Sequence, residues 1–315
     1  MDTNVHPGSS EHKDDERTAS LPIPQQPMQH PPEQHPPEQY PPEQRPPSTA
    51  QDGLWPSLGR DIGWQVLQRV CKKRKRVPIN DLPQLGIQHC TLSPNGIPAD
   101  GSQAFFSLLP EETMRQYDRE YGLRTMDRVP EVDRETKSDW ECAFWLNIYT
   151  KCCLEPEHLQ VGELSPINKS TWESRYADDY ERMGYENKKN IHNHWNAFFV
   201  LDQKEFRTPH LLSAIGDDNP LTADALNPSE VFSVVKFCTV SRCKEEYRAH
   251  KIIPVAVITM SANQLRLVQG YADPETCTFR LQIGEIRTDP LDDTRWGLHS
   301  WILRWLLSTP IGETT

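Results

Sequence analysis

Four consecutive five-residue units, HPPEQ, HPPEQ, YPPEQ and RPPST, run from His30 to Thr49. Paired prolines carry no amide protons and favour extended polyproline II, so such a segment cannot join a hydrogen-bonded core. Residues 1–52 hold twelve of the chain's 28 prolines, one aromatic residue (Tyr40) and nine acidic against three basic side chains. Burial there cannot offset chain entropy, which predicts a disordered tail over 1–52. No PxxP with a flanking cation is present, and PPEQY is one residue too long for PPxY, so the tail reads as a tether.

The globular part must therefore come from the remaining 260 or so residues, enough for one large domain. The net charge of −11 favours solubility and disfavours a nucleic-acid coat or an anionic-membrane binder. The first residues offer no apolar leader core, and the longest apolar run, Ile252 to Ile258, is far short of the twenty or so residues that span a bilayer. No membrane association is expected. Eight scattered cysteines without a CxxC pair read as free thiols of a reducing compartment.

From Arg69 to Arg76 six cations fall within eight residues. The core of that run, Lys72, Lys73, Arg74, Lys75 and Arg76, has the form of a nuclear-import signal, which predicts an importin as partner and the nucleus or cytoplasm as location. Ile62, Val66, Leu67 and Val70 recur at helical spacing just before it, and a helix C-terminus suits cations. Residues 53–102 read as a linker carrying this helix and the basic run.

Residues 103–315 read as a globular α+β domain, mainly helical, with a disordered Pro-rich tail ahead of it. Pro110 with Glu111 and Glu112 opens a helix that Gly122 closes. Ser138 with Glu141 and Ser170 with Glu173 fit capping boxes, Asn227 to Glu230 starts a further helix, and Thr208-Pro209 a shorter one ending at Gly216. After Lys251 the period changes. Pro254 to Met260, Leu265 to Ala272 and Thr276 to Ile283 predict a three-strand antiparallel β-meander, the third strand with Arg280 and Gln282 on a wet face. A terminal Trp-rich helix spans Arg295 to Leu307.

The densest polar cluster holds His192 and His194, which share a face if the segment is extended and could then hold one divalent metal. His210, Asp202, Glu205 and His250 are the candidates to complete such a site. In a helix the two imidazoles would stand about 200° apart and the site would not form. No nucleophile elbow, phosphate loop, dinucleotide fingerprint or kinase signature occurs, and no cofactor is predicted.

Three stretches, His192 to Phe206, His250 to Met260 with the following Leu265 to Asp273, and Leu303 to Thr314, resemble a group of uncharacterised proteins from filamentous ascomycete fungi. In place of their second terminal tryptophan this chain has Leu306. The resemblance implies a fungal source and a recurring fold, and it transfers no functional residue. The expected function is a non-catalytic interaction or regulatory protein with a protein partner. The alternatives are a metal-dependent hydrolase or nuclease using His192 and His194, and an accessory protein of a fungal metabolic gene cluster.

Overall fold

The computed structural model describes residues 54–70, 76–123, 139–155, 164–175, 195–206, 208–288 and 296–315. In chain order, the first elements are α1 (Leu54–Val70), β1 (Val77–Pro78), β2 (Ile87–Leu92), β3 (Phe106–Ser107), α2 (Glu111–Tyr121) and α3 (Asp139–Leu154). Next come α4 (Pro166–Lys169), β4 (Trp172–Arg175), β5 (Trp195–Gln203), β6 (Leu211–Asp217), β7 (Ala225–Leu226) and α5 (Pro228–Ser241). The chain finishes with β8 (Val255–Ser261), β9 (Gln264–Asp273), β10 (Thr278–Gly284), β11 (Arg287–Thr288), α6 (Trp296–Leu306) and β12 (Thr309–Pro310).

The main sheet has eight strands in the order β2-β10-β9-β8-β6-β5-β4, with β11 beside β9. A mainly helical body is therefore the wrong description: the domain is α+β and sheet-rich. The error lies between residues 195 and 217. Thr208-Pro209 leads into β6, and Gly216 belongs to that strand. All seven β6 residues are buried, and a short apolar run covered on both faces carries no periodicity that separates strand from helix. Ser170 likewise opens no helix. Its hydroxyl donates to the Ile167 carbonyl at 2.7 Å and accepts from the Trp172 amide at 3.1 Å, turning the chain from α4 into β4.

The three C-terminal runs are β8, β9 and β10, joined antiparallel. This antiparallel run forms the middle of the large sheet. On one side β6 lies parallel to β8, a pairing that requires a crossover, and α5 supplies it. On the other side β2 lies parallel to β10. The capping at Asn227 explains where α5 begins: the Glu230 carboxylate accepts the Asn227 amide at 2.7 Å, with Pro228 in the first turn. Gly122 ends α2 in the left-handed conformation, φ 61°, which glycine adopts without a Cβ penalty.

Alternation along the strands divides the apolar side chains between two cores. Val255, Val257, Val268, Phe279 and Leu281 join α1 and α5 on one face. Ala256, Ile258, Leu265 and Leu267 join α2, α3 and α6 on the other. The stretch read as a linker supplies α1 to the first core, through Val66, Leu67 and Val70, and β2 to the edge of the sheet. Gly63 lets α1 lie against α5, because a Cβ there would stand 1.9 Å from the Thr239 hydroxyl. Gly63→Ala should therefore destabilise the domain by about 1–3 kcal/mol, as overpacking does. Urea unfolding reads this as a lower midpoint, and an unchanged midpoint would mean that α1 is not docked.

Candidate functional site at the free edge of the sheet

β2 is an edge strand, and its sequence explains why it is hard to see: among its six residues only Ile87 and Leu92 are buried. The Phe279 amide donates to the Gly86 carbonyl at 3.1 Å, and the register pairs Phe279 with Ile87. In a parallel ladder of that phase, Gln88 and Cys90 direct their backbone groups toward β10, while Ile87, His89 and Thr91 direct theirs outward. The Thr91 carbonyl is taken by the Ala99 amide at 2.9 Å. The outward N–H and C=O groups of Ile87 and His89 bond to no described residue. β2 also lacks the lysines, prolines and acidic side chains that usually guard an edge.

Beside this edge lies a polar cavity of about 70 Å³ lined by Gln88, Cys90, Asp100, Ser102, Arg280 and Gln282, among others. Register builds it: Arg280 stands opposite Gln88, and Gln282 opposite Cys90. The segment after β2 returns across the same strands, and Ser102 and Gln103 accept from the Gln282 amide nitrogen at 3.2 and 3.3 Å. Gln282 is 1% exposed, and its Oε1 has no partner. Its cross-strand neighbour Gln269 is equally buried, with neither amide atom paired. Arg280 and Gln282 thus occupy the alternating polar positions expected on β10, but Gln282 is dry rather than wet, because the returning segment covers it.

Arg280 donates to Asp273 at 2.8 Å and stands 3.8 Å from Asp100. The Ser102 hydroxyl and amide hold the Asp100 carboxyl below the usual carboxylate range. Burial works to raise Asp273, but the Thr276 hydroxyl, the Glu275 and Thr276 amides and Arg280 outweigh it and leave that group lowered as well. Burial and the neighbouring Asp100 push the Cys90 thiol up, so it is a neutral thiol and not a nucleophile. Burial pushes the Tyr271 phenol up to about 12. The lining itself holds one carboxylate, Asp100, and one guanidinium, Arg280.

His192 and His194 lie outside the described residues, as do Lys72, Lys73, Arg74 and Lys75. Arg76 is described and donates to the Pro220 carbonyl at 2.9 Å. The residues considered for completing a metal site have other bonds. Asp202 is fully buried, accepts from Lys244 at 2.7 Å, and is bonded by the Tyr247 hydroxyl. The His210 Nε2 bonds to the Ile311 carbonyl at 3.0 Å, and the His250 Nδ1 to the Thr314 hydroxyl at 2.8 Å. Glu205 is exposed, at φ 58°. Among the described residues no three His, Cys, Asp or Glu side chains are grouped to hold a metal.

A second polar cluster sits where β6 and β8 end and α5 begins, a position that often carries ligands in sheets with parallel strands. Here its groups bind one another. Asp217 is 1% exposed, taking the Asn219 amide and side chain at 2.8 Å each and the Ser229 hydroxyl. Arg266 and Glu230 form a buried bidentate pair. This cluster ties strands to helix. Trp301 and Trp305 are buried in the second core.

Sequence reasoning missed β2 and with it the cavity. The one available signal was the alternation of Arg280 and Gln282 with Phe279, Leu281 and Ile283. Comparison with protein-family models, with curated proteins and with solved structures gave no match.

Proposed function

We propose that this chain is a non-catalytic interaction protein whose body captures an extended segment of a partner by strand addition along β2. The outward backbone of Ile87 and His89, which pairs with no described residue, carries the reading. Main-chain bonds at such an edge give affinity, and pockets along it give selectivity. The neutral, unguarded sequence of β2 and the polar cavity beside it support the same use. The buried ionic groups elsewhere fit a scaffold role, since Arg266–Glu230 and Lys244–Asp202 join elements of the fold. Within this reading the chain works in the fungal nucleus or cytoplasm. An importin takes up Lys72 to Lys75 while Arg76 holds the end of the run to the body.

The test is a displayed library of extended peptides panned against the full chain, followed by amide hydrogen exchange on the complexes. Selected peptides should protect the His89 amide. His89→Pro, which removes that outward donor and leaves the β10 ladder intact, should weaken their binding by tenfold or more. Peptides that bind the proline variant equally well, or a library that yields no binder, would overturn the proposal.

A further inference from the structure

The face of β2 turned away from the cavity bears on the partner's chemistry, and the inference rests on the strand-addition reading above. Side chains alternate along a strand, so Ile87 and His89 share the face opposite to Gln88 and Cys90. Ile87 joins the core that α1 closes, and the last turn of α1 reaches the start of β2. There the exposed Arg69 donates from Nη1 to the Leu85 carbonyl at 3.1 Å. The same nitrogen would lie 3.3 Å from a Cβ placed on Gly86, the residue just before the strand. A carbonyl takes one donor but does not neutralise a charge, and among the described residues no carboxylate pairs with Arg69. β2 supplies none, since its sequence IQHCTL holds neither acid nor lysine nor arginine. The sequence beyond Arg69 adds only the same sign, with Lys72, Lys73, Arg74, Lys75 and Arg76 and no acidic residue before Asp81.

We infer that the strand added along β2 is acidic, with a carboxylate on the face of Ile87 and His89 that pairs with Arg69. An added strand lies about 4.8 Å from its neighbour, and diagonal positions across such a pair stay within reach of long side chains. A glutamate near Ile87 therefore reaches over Gly86 to the guanidinium. Donors remain for it, because an arginine carries five N–H groups in a fork that suits a carboxylate and Leu85 takes one of them. The net charge of −11 does not oppose this. At physiological ionic strength exposed charges more than about 8 Å apart are largely screened, so the local sign decides. A lysine on that face would meet like charge, and an amide would leave the charge of Arg69 unanswered. The partner is thus an extended acidic peptide segment, held by its backbone on Ile87 and His89 and selected by Arg69.

The experiment uses the full chain and alternating Thr/Val heptapeptides in which two residues of one face are glutamate, glutamine or lysine, with binding read by fluorescence anisotropy at low and at high salt. The glutamate peptide should bind about fivefold tighter than the glutamine one at low salt, the size of a good exposed ion pair, with lysine the weakest. Added salt should narrow that margin. Arg69→Gln should remove most of the glutamate preference while leaving the glutamine peptide unaffected, and Arg69→Lys, which keeps the charge, should retain more of it. Equal binding of glutamate and glutamine peptides, or a preference that survives Arg69→Gln, would overturn the acidic assignment and leave strand addition standing. Failure of all three peptides to bind, or binding of all three to His89→Pro as tight as to the parent, would instead remove strand addition.

Discussion

Replacing Arg266 by methionine should cost the domain about 3–5 kcal/mol, because it leaves the Glu230 carboxylate buried and uncompensated. Glu230 and Arg266 are 0% and 1% exposed, so water cannot take over. Arg266 also donates to the carbonyls of Thr222 at 2.7 Å and Ala225 at 3.1 Å, binding β9 to the segment that leads into α5. The same Glu230 accepts the Asn227 amide and so fixes the start of that helix. At roughly 2–4 °C per kcal/mol for a domain of this size, the expected fall in Tm is on the order of 10 °C. The pair Arg266→Met with Glu230→Gln should recover much of the loss, since no charge is then left alone and glutamine keeps an oxygen for Asn227. A double-mutant cycle from urea midpoints measures this coupling. If the single and double variants lost equal stability, the pair would be an incidental neighbour of the packing and not the link between strand and helix.

How far this architecture can be read without coordinates depends on where each signal resides. α2 and α5 are legible because their ends are local: Pro110 and the following acids, Gly122 beyond the last turn, and the Asn-Pro-Ser-Glu start at Asn227. β8 to β10 are legible because β-branched runs alternate with short turns. β5 and β6 are not. Ala197 to Leu201 and Leu211 to Ile215 are apolar on both faces, since helices cover both sides of the sheet, and that coverage is a property of the assembled layers. β2 fails for the opposite reason, as an edge strand needs few apolar residues and Gln88, His89 and Thr91 are exposed.

The candidate site divides along the same line. The alternation that puts Arg280 and Gln282 on one face is written in β10 itself. That this face is dry at Gln282 follows from the return of Asp100 to Gln103 across it, a contact about 180 residues away along the chain that no local pattern encodes. Among the described residues, β2 is paired on its outward side only near its end, where Ala99 donates to Thr91, which leaves the outward backbone of Ile87 and His89 without a described partner. The side that faces outward is set by the register with Phe279, so an edge is recognisable only once its neighbour is known.

Acid should unfold this protein through His210 before its carboxylates titrate. The imidazole is completely buried between Phe105 and Phe106, ring centroids 6.2 and 5.4 Å away, and burial lowers its pKa to about 4. Its Nε2 bonds to the Ile311 carbonyl, and burial outweighs the help that the Ile311 and Phe105 carbonyls would give to the protonated ring. In the unfolded chain a histidine titrates near 6.5, so below about pH 6.5 the unfolded state binds the proton and the folded state resists it. The stability that depends on neutral His210 is complete above about pH 6.5 and declines as the pH falls toward 4, by about 2 kcal/mol between roughly pH 7 and pH 5. His250, lowered by burial and by Arg242, adds a change of the same sign. Asp217, raised by burial, acts in the opposite direction at lower pH. His210→Gln keeps a donor for Ile311 and removes the titration, so its stability should change less over this interval by about the same 2 kcal/mol. Because Ile311, Thr314 and Ser308 stitch the C-terminal segment to Phe105, His250 and Trp172, protonation should release that segment first. Amide exchange at Ile311 should then accelerate with acid in the parent and not in the glutamine variant, and parallel pH profiles for the two proteins would show that His210 does not govern acid stability.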